Sequence, residues 1–139
     1  MPSGGRRDLW RKASLALVFT WFVLGGLAHF VLTDTFVSVV PPYVPFGRAV
    51  VLVTGAIEIL LALALLFGRW RPLAGLALMA FTIAVTPVHI EMLLQADQYP
   101  RVGAPLLWLR LAMQPALVWI IWFATQRRER TGPTHNDPR

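Results

Sequence analysis

Four stretches of this sequence are apolar for about as long as a helix needs to cross a bilayer. Nothing else in the chain constrains its fold as tightly. A hydrocarbon core takes about 20 residues of helix. The stretches run over residues 14–32, 49–67, 72–94 and 105–124. Only 14% of the chain is charged, against about 25% in an ordinary soluble domain. The pattern predicts an all-α fold, a four-transmembrane-helix antiparallel bundle over residues 14–125. A basic segment, 1–13, precedes it, and a polar tail, 126–139, is expected to be disordered. His135 belongs to that tail and is expected to be solvated.

The first stretch follows a basic start, as a signal peptide does, and Gly26-Leu27-Ala28 supplies small residues where a cleavage site would want them. The apolar run is longer than a signal-peptide core, however, and its removal would leave three spans. It is read as a span.

The net charge is +6. Its placement excludes nucleic acid as a partner, because the basic residues flank the apolar stretches and do not gather on one face. Of the thirteen Lys and Arg residues, ten lie before span one, between spans two and three, or after span four. Arg48 and Arg101 fall on the other side, and Arg110 lies inside span four. The positive-inside rule therefore predicts a multi-pass protein of the cell (inner or plasma) membrane with both termini cytoplasmic. The chain has no cysteine, which excludes disulfides and thiol redox chemistry within it.

The connections differ in character. Residues 68–71 form a very short link, so spans two and three are expected to pair as an antiparallel hairpin. The first outer loop reads "DTFVSVVPPYVPFGR". It is too apolar for a solvated loop and too rich in proline for a helix. It is expected to lie against the bundle or the interface, anchored by Phe36, Tyr43 and Phe46.

Ionisable side chains at membrane depth are costly and normally face the bundle interior. His29, Glu58, His89 and Arg110 are such residues. Glu58 lies about 15 Å along span two, at 1.5 Å per residue. Helical side chains lean toward their own N-terminus, so all four can converge on one layer in the outer half. Gly25 and Gly26 lie one turn below His29 and permit close helix approach. Thr54 and Gly55 lie one turn above Glu58. Thr82 and Thr86 share a face with His89, and Gln114 shares one with Arg110. Glu91 points about 160° away from His89. It belongs to the outer boundary or to an interface of a homo-oligomer.

In order along the chain, "GGLAHF", "VVPPYVP", "TGAIEILLAL", "AVTPVHIEM" and "LRLAMQPALVWIIW" resemble the DoxX-like family of small four-helix integral membrane proteins. The resemblance covers residues 15–123. It implies family-typical positions for His29, the loop segment Pro41, Pro42, Tyr43 and Pro45, and for Gly55, Glu58, Arg110 and Gln114. His89 stands where the family often carries Asn, which favours a polar contact over metal or haem ligation. Relatives are associated with thiosulfate:quinone oxidoreductase and with a membrane oxidoreductase complex that handles oxidative stress. Without cysteine, such a role in this chain would rest on a partner protein or on quinone itself.

Two functional readings stay open at this level. In the first, the protein is a redox-associated membrane subunit that binds a quinone or similar apolar molecule at the layer formed by His29, Thr54, Glu58, His89, Arg110 and Gln114. In the second, it is a non-enzymatic assembly or interaction subunit whose polar layer is structural, with a Glu58–Arg110 ion pair setting helix register. No self-contained catalytic motif is present, so an enzymatic role would belong to an oxidoreductase complex with protein partners. Axial ligation of haem by His29 and His89 is a weaker reading, because two histidines are a sparse signature. No metal site is expected. A through-membrane path is opposed by "ILLALALLF", which follows Glu58 and reads as an apolar plug.

Overall fold

A computed structural model describes residues 3–98 and 104–126 of the chain. The described residues are helical, with α1 at Ser3–Val31, α2 at Thr33–Val37, α3 at Gly47–Ala64, α4 at Arg71–Leu94 and α5 at Ala104–Thr125. A single 3-10 turn, Ala96–Gln98, follows α4. Among these, α1, α3, α4 and α5 are long and apolar enough to cross a membrane. The protein is thus a multi-pass helical membrane protein whose surroundings are a lipid bilayer. Its outward faces fit that setting. Leu24, Val53, Leu60, Leu73, Leu76 and Trp119 are all more than half exposed, and only lipid covers such faces at no cost.

α1 begins at Ser3, well before its apolar stretch, and carries Arg6, Arg7, Arg11 and Lys12 on its first turns. Its 29 residues span about 43 Å at 1.5 Å each, longer than the roughly 30 Å hydrocarbon core. The basic turns therefore continue the helix past the apolar slab. Arg11 donates from Nη2 to the Gln126 carbonyl at 2.7 Å, which ties the start of α1 to the end of α5. The remainder of the polar tail, including His135, lies outside the described residues, as does Arg101.

The four long helices form a ring in the order α1, α3, α4, α5, closed by contact between α5 and α1. Packing is heaviest between α1 and α3 and between α4 and α5. α3 and α4 are adjacent, as their short link requires, but they pack least of the four sides. Spans two and three thus pair as the expected hairpin, with looser packing than the other sides of the ring.

Small residues explain the difference. A Cβ on Gly55 would lie 2.6 Å from His29 Cβ and 2.9 Å from the Gly26 carbonyl oxygen. A Cβ on Gly26 would lie 2.7 Å from the Gly55 carbonyl oxygen. Only glycine lets α1 and α3 approach this closely. α4 and α5 use the same device near the other end of the bundle, where Gly75 lies against the Thr125 side chain.

The bundle has two unlike halves. At the terminal end, where α1 starts and α5 finishes, Val18, Phe22, Ala62, Leu65, Leu78 and Ile121 form a buried apolar cluster drawn from all four helices. At the opposite end, here the loop end, the segment between α1 and α3 folds over the ring. Phe36 on α2 packs its ring on His29, with centroids 4.3 Å apart. Pro41 is buried. The other two expected anchors do not pack on the bundle: Tyr43 is 72% exposed and Phe46 is 83% exposed. Phe46 has a left-handed backbone, φ 56°, where the chain turns into α3, and its ring is left outside. Such a conformation costs a bulky residue on the order of 1–3 kcal/mol. An exposed ion pair, Arg48 Nη1 to Asp34 Oδ1 at 2.8 Å, spans from α2 to the start of α3.

The α1/α3 crossing yields a direct test. Gly55→Ala is expected to destabilise the protein by about 1–3 kcal/mol through overpacking. Gly5→Ala, with nothing within 4 Å of the added carbon, is expected to leave stability unchanged or slightly raised. Thermal melts followed by circular dichroism in mild detergent would show it. Equal midpoints for the two variants would refute the close crossing.

Candidate functional site

The loop-end half encloses a cavity of about 410 Å³. Every residue of the expected polar layer lines it: His29 from α1, Thr54 and Glu58 from α3, His89 from α4, and Arg110 and Gln114 from α5. The periodicity behind this is plain. Thr54 and Glu58 are one turn apart on α3, as are Thr82 and the turn beneath His89 on α4, and Arg110 and Gln114 on α5. The rest of the wall is apolar, with Trp21, Phe22, Phe81, Met92 and Met113 among its members. The loop closes the end with Phe36, Val39 and Val40.

Polar groups divide between two walls. On the α1/α3 wall, His29 Nδ1 lies 2.8 Å from the Val51 carbonyl oxygen. A carbonyl only accepts, so Nδ1 carries the hydrogen and donates it. Thr54 Oγ1 is 3.1 Å from the same nitrogen and also donates within α3, to the Val50 and Val51 carbonyls at 2.9 Å. The other ring nitrogen, Nε2, faces Glu58 Oε1 at 3.9 Å. At 3.9 Å the two side chains face each other within ion-pair range but beyond hydrogen-bond reach. A Cβ on Gly25 would stand 3.0 Å from Glu58 Oε2, so Gly25 makes room for the carboxyl.

On the α4/α5 wall, His89 Nδ1 lies 3.0 Å from the Val85 carbonyl oxygen and 3.4 Å from Gln114 Nε2. The carbonyl only accepts and the amide nitrogen only donates, so the ring nitrogen serves one at a time. Gln114 is 9% exposed, and its Oε1 has no hydrogen-bond partner among the described residues. Arg110 is half-buried. Among the described residues it makes no ion pair within 4.0 Å.

This corrects one expectation. Glu58 does not pair with Arg110; it faces His29. The ring order is the reason. α3 and α5 are diagonal across the cavity, whereas the glycine crossing presses α3 onto α1. His29 and His89 stand on the other diagonal, α1 and α4.

Other expected residues fall elsewhere. Pro41, Pro42, Tyr43 and Pro45 do not line the cavity; Pro42, Tyr43 and Pro45 are exposed. The loop residues that do, Phe36, Val39 and Val40, were signalled only by the unusual apolarity of their segment. Thr82 lines the cavity and donates to the Leu78 carbonyl at 2.8 Å. Thr86 instead faces a groove between α4 and α5 on the lipid side. Glu91 accepts from Gln95 one turn along its own helix and takes no part in the cavity. Among the described residues no group of three or more His, Cys, Asp or Glu side chains is placed to hold a metal ion.

Fold and site together define a small multi-pass helical membrane protein with a polar-lined cavity in one half of its bundle. Residues 16–125 match the family model described as "Domain of unknown function (DUF8561)", and the chain belongs to that family. No curated protein and no solved structure matches it.

The two walls make separable predictions about coupling. In a double-mutant cycle, His29→Ala and Glu58→Gln are expected to be non-additive in stability by about 0.5–3 kcal/mol. Glu58→Gln and Arg110→Gln are expected to add to within about 0.5 kcal/mol. The reverse pattern, measured by reversible unfolding in detergent, would restore the Glu58–Arg110 pair and reject the His29–Glu58 contact.

Proposed function

We propose that the loop-end cavity binds a quinone or similar apolar molecule bearing a polar head, and that the protein serves as a redox-associated subunit in the cell membrane. One observation carries this reading. A single cavity with largely apolar walls receives polar side chains from all four long helices, which is the usual form of a small-molecule site. Its volume of about 410 Å³ lies within the range of roughly 300–1,000 Å³ for such sites. A structural role needs fewer groups: the glycine crossing and the His29–Val51 hydrogen bond already lock α1 to α3.

The residues suit a quinone head. Arg110 and the amide of Gln114 are donors for a ring oxygen on one wall. On the other, Glu58 and His29 add a carboxyl and an imidazole to the cavity wall. Quinone, when bound, supplies two-electron, two-proton redox chemistry that the chain's own side chains lack. The apolar walls exclude water and seat the ring, and the loosely packed α3/α4 side gives an apolar tail a way out to lipid. The resemblance to DoxX-like proteins supports the same reading, and with no cysteine the electrons would come from a partner protein of an oxidoreductase complex. The assembly-subunit reading draws its support from the α1/α3 contacts, which hold without any ligand.

Orientation belongs to the same proposal. Ten of thirteen basic residues lie at the terminal end or in the stretches flanking it, which supports cytoplasmic termini and a cavity toward the outer face. A reporter fused after Arg128 is expected to read as cytoplasmic; an external signal would invert the scheme.

Lipid extracts of the protein purified in mild detergent are expected to contain quinone at near-stoichiometric amounts. Arg110→Ala is expected to lose it at unchanged helical content. Partner proteins recovered with no bound small molecule would instead favour the assembly role.

A further inference from the structure

The two walls of the cavity differ in charge balance, and that difference says more about the ligand than its apolarity does. Among the described residues Glu58 is the one carboxylate on the walls, and it faces His29 on the α1/α3 side at 3.9 Å. Arg110 stands across the diagonal with no acidic side chain within 4.0 Å among the described residues. A cationic side chain at membrane depth is normally paired, and an uncompensated one in a low-dielectric site is expensive. Beside it, Gln114 is more than nine-tenths buried with Oε1 unpartnered among the described residues. Arg110 lacks the anionic partner that a bound head would supply; Gln114 Oε1 accepts only, so Gln114 can meet an anionic oxygen solely through its Nε2 hydrogens. Guanidinium geometry matches two oxygens on one centre, or one oxygen bearing full charge, better than any neutral head.

We infer that the ligand of this cavity is an amphiphile whose head carries an anionic oxygen, seated on Arg110 beside His89 and Gln114, with its apolar body along Phe81, Met92 and Met113. A carboxylate on a hydrocarbon chain and a quinone with an ionised ring hydroxyl share that chemistry. A neutral quinone lacks it. The inference rests on the binding role proposed above and narrows it from an apolar molecule to an acidic one. It also gives the wall asymmetry a purpose. Glu58 lies with His29 and away from Arg110, so the guanidinium is left for the ligand. A Glu58–Arg110 pair would have cancelled the site.

The test compares an acid with its matched alcohol. The protein is placed in phosphatidylcholine nanodiscs and titrated with dodecanoate, dodecanol and a neutral short-chain quinone. Trp21 lines the cavity, so its fluorescence reports occupancy, and Trp21→Phe identifies the part of the signal that comes from there. After correction for partition into the nanodisc lipid, dodecanoate is expected to bind at least tenfold more tightly than dodecanol, the size of one charge-assisted contact. Arg110→Gln is expected to abolish that preference, and Arg110→Lys to keep most of it. Equal affinity for acid and alcohol in the wild-type protein overturns the inference without any variant needing to fold. A preference that survives Arg110→Gln overturns it as well. Binding of the neutral quinone with no preference for the acid rejects the anionic head and leaves the binding role standing. No Trp21 response to any of the three compounds rejects both.

Discussion

The close crossing of α1 and α3 is the contact on which the rest of the bundle depends. Gly26 and Gly55 bring two backbones so near that each would collide with a Cβ on the other. At that separation His29 reaches the Val51 carbonyl on the neighbouring helix. Its ring is then held with Nε2 toward Glu58, and Phe36 packs on it from above. One steric allowance thus sets the His29–Val51 hydrogen bond, the approach of His29 to Glu58 and the seat of the loop that closes the cavity. Gly75 against Thr125 does the corresponding work for α4 and α5 at the other end. The two tight pairs lie at opposite ends, and the bundle is filled by apolar side chains at the terminal end and holds a loop-capped cavity at the other.

That asymmetry limits what the protein can do. The terminal half is a fully buried cluster, with Val18, Leu65, Leu78 and Ile121 at 0% exposure. Beside it Thr125 is buried against Gly75, its hydroxyl donated to the Ile121 carbonyl at 2.8 Å. The polar side chains from the four long helices gather in the loop-end cavity. A molecule that resides in the bilayer suits this geometry better than one passing through.

Much of the cavity was legible beforehand because depth and face follow from helical period alone. A rise of 1.5 Å per residue places His29, Glu58, His89 and Arg110 at similar depth, and the lean of side chains toward the helix start brings them together. The loop was harder. Its apolarity showed that it must pack, yet Tyr43 and Phe46 looked as good as Phe36. The outcome turned on the left-handed backbone at Phe46, a local conformation with no composition signal in a non-glycine residue. The short link between spans two and three correctly gave their adjacency. Link length fixes which helices are neighbours, but how closely they pack depends on where the glycines lie, and those are on α1, α3 and the start of α4.

Sequence alone determined that this chain is a four-span helical membrane protein, which polar groups sit inside it, and at what level. Those properties belong to single helices and follow from their length, period and composition. Only the tertiary structure decided which groups meet. Pairing depends on the order of helices around the ring and on the distance between each pair of axes, and neither is encoded in any one span. The diagonal placement of α3 and α5, with α3 drawn onto α1 by glycine contacts, gave Glu58 to His29 and left Arg110 facing the cavity.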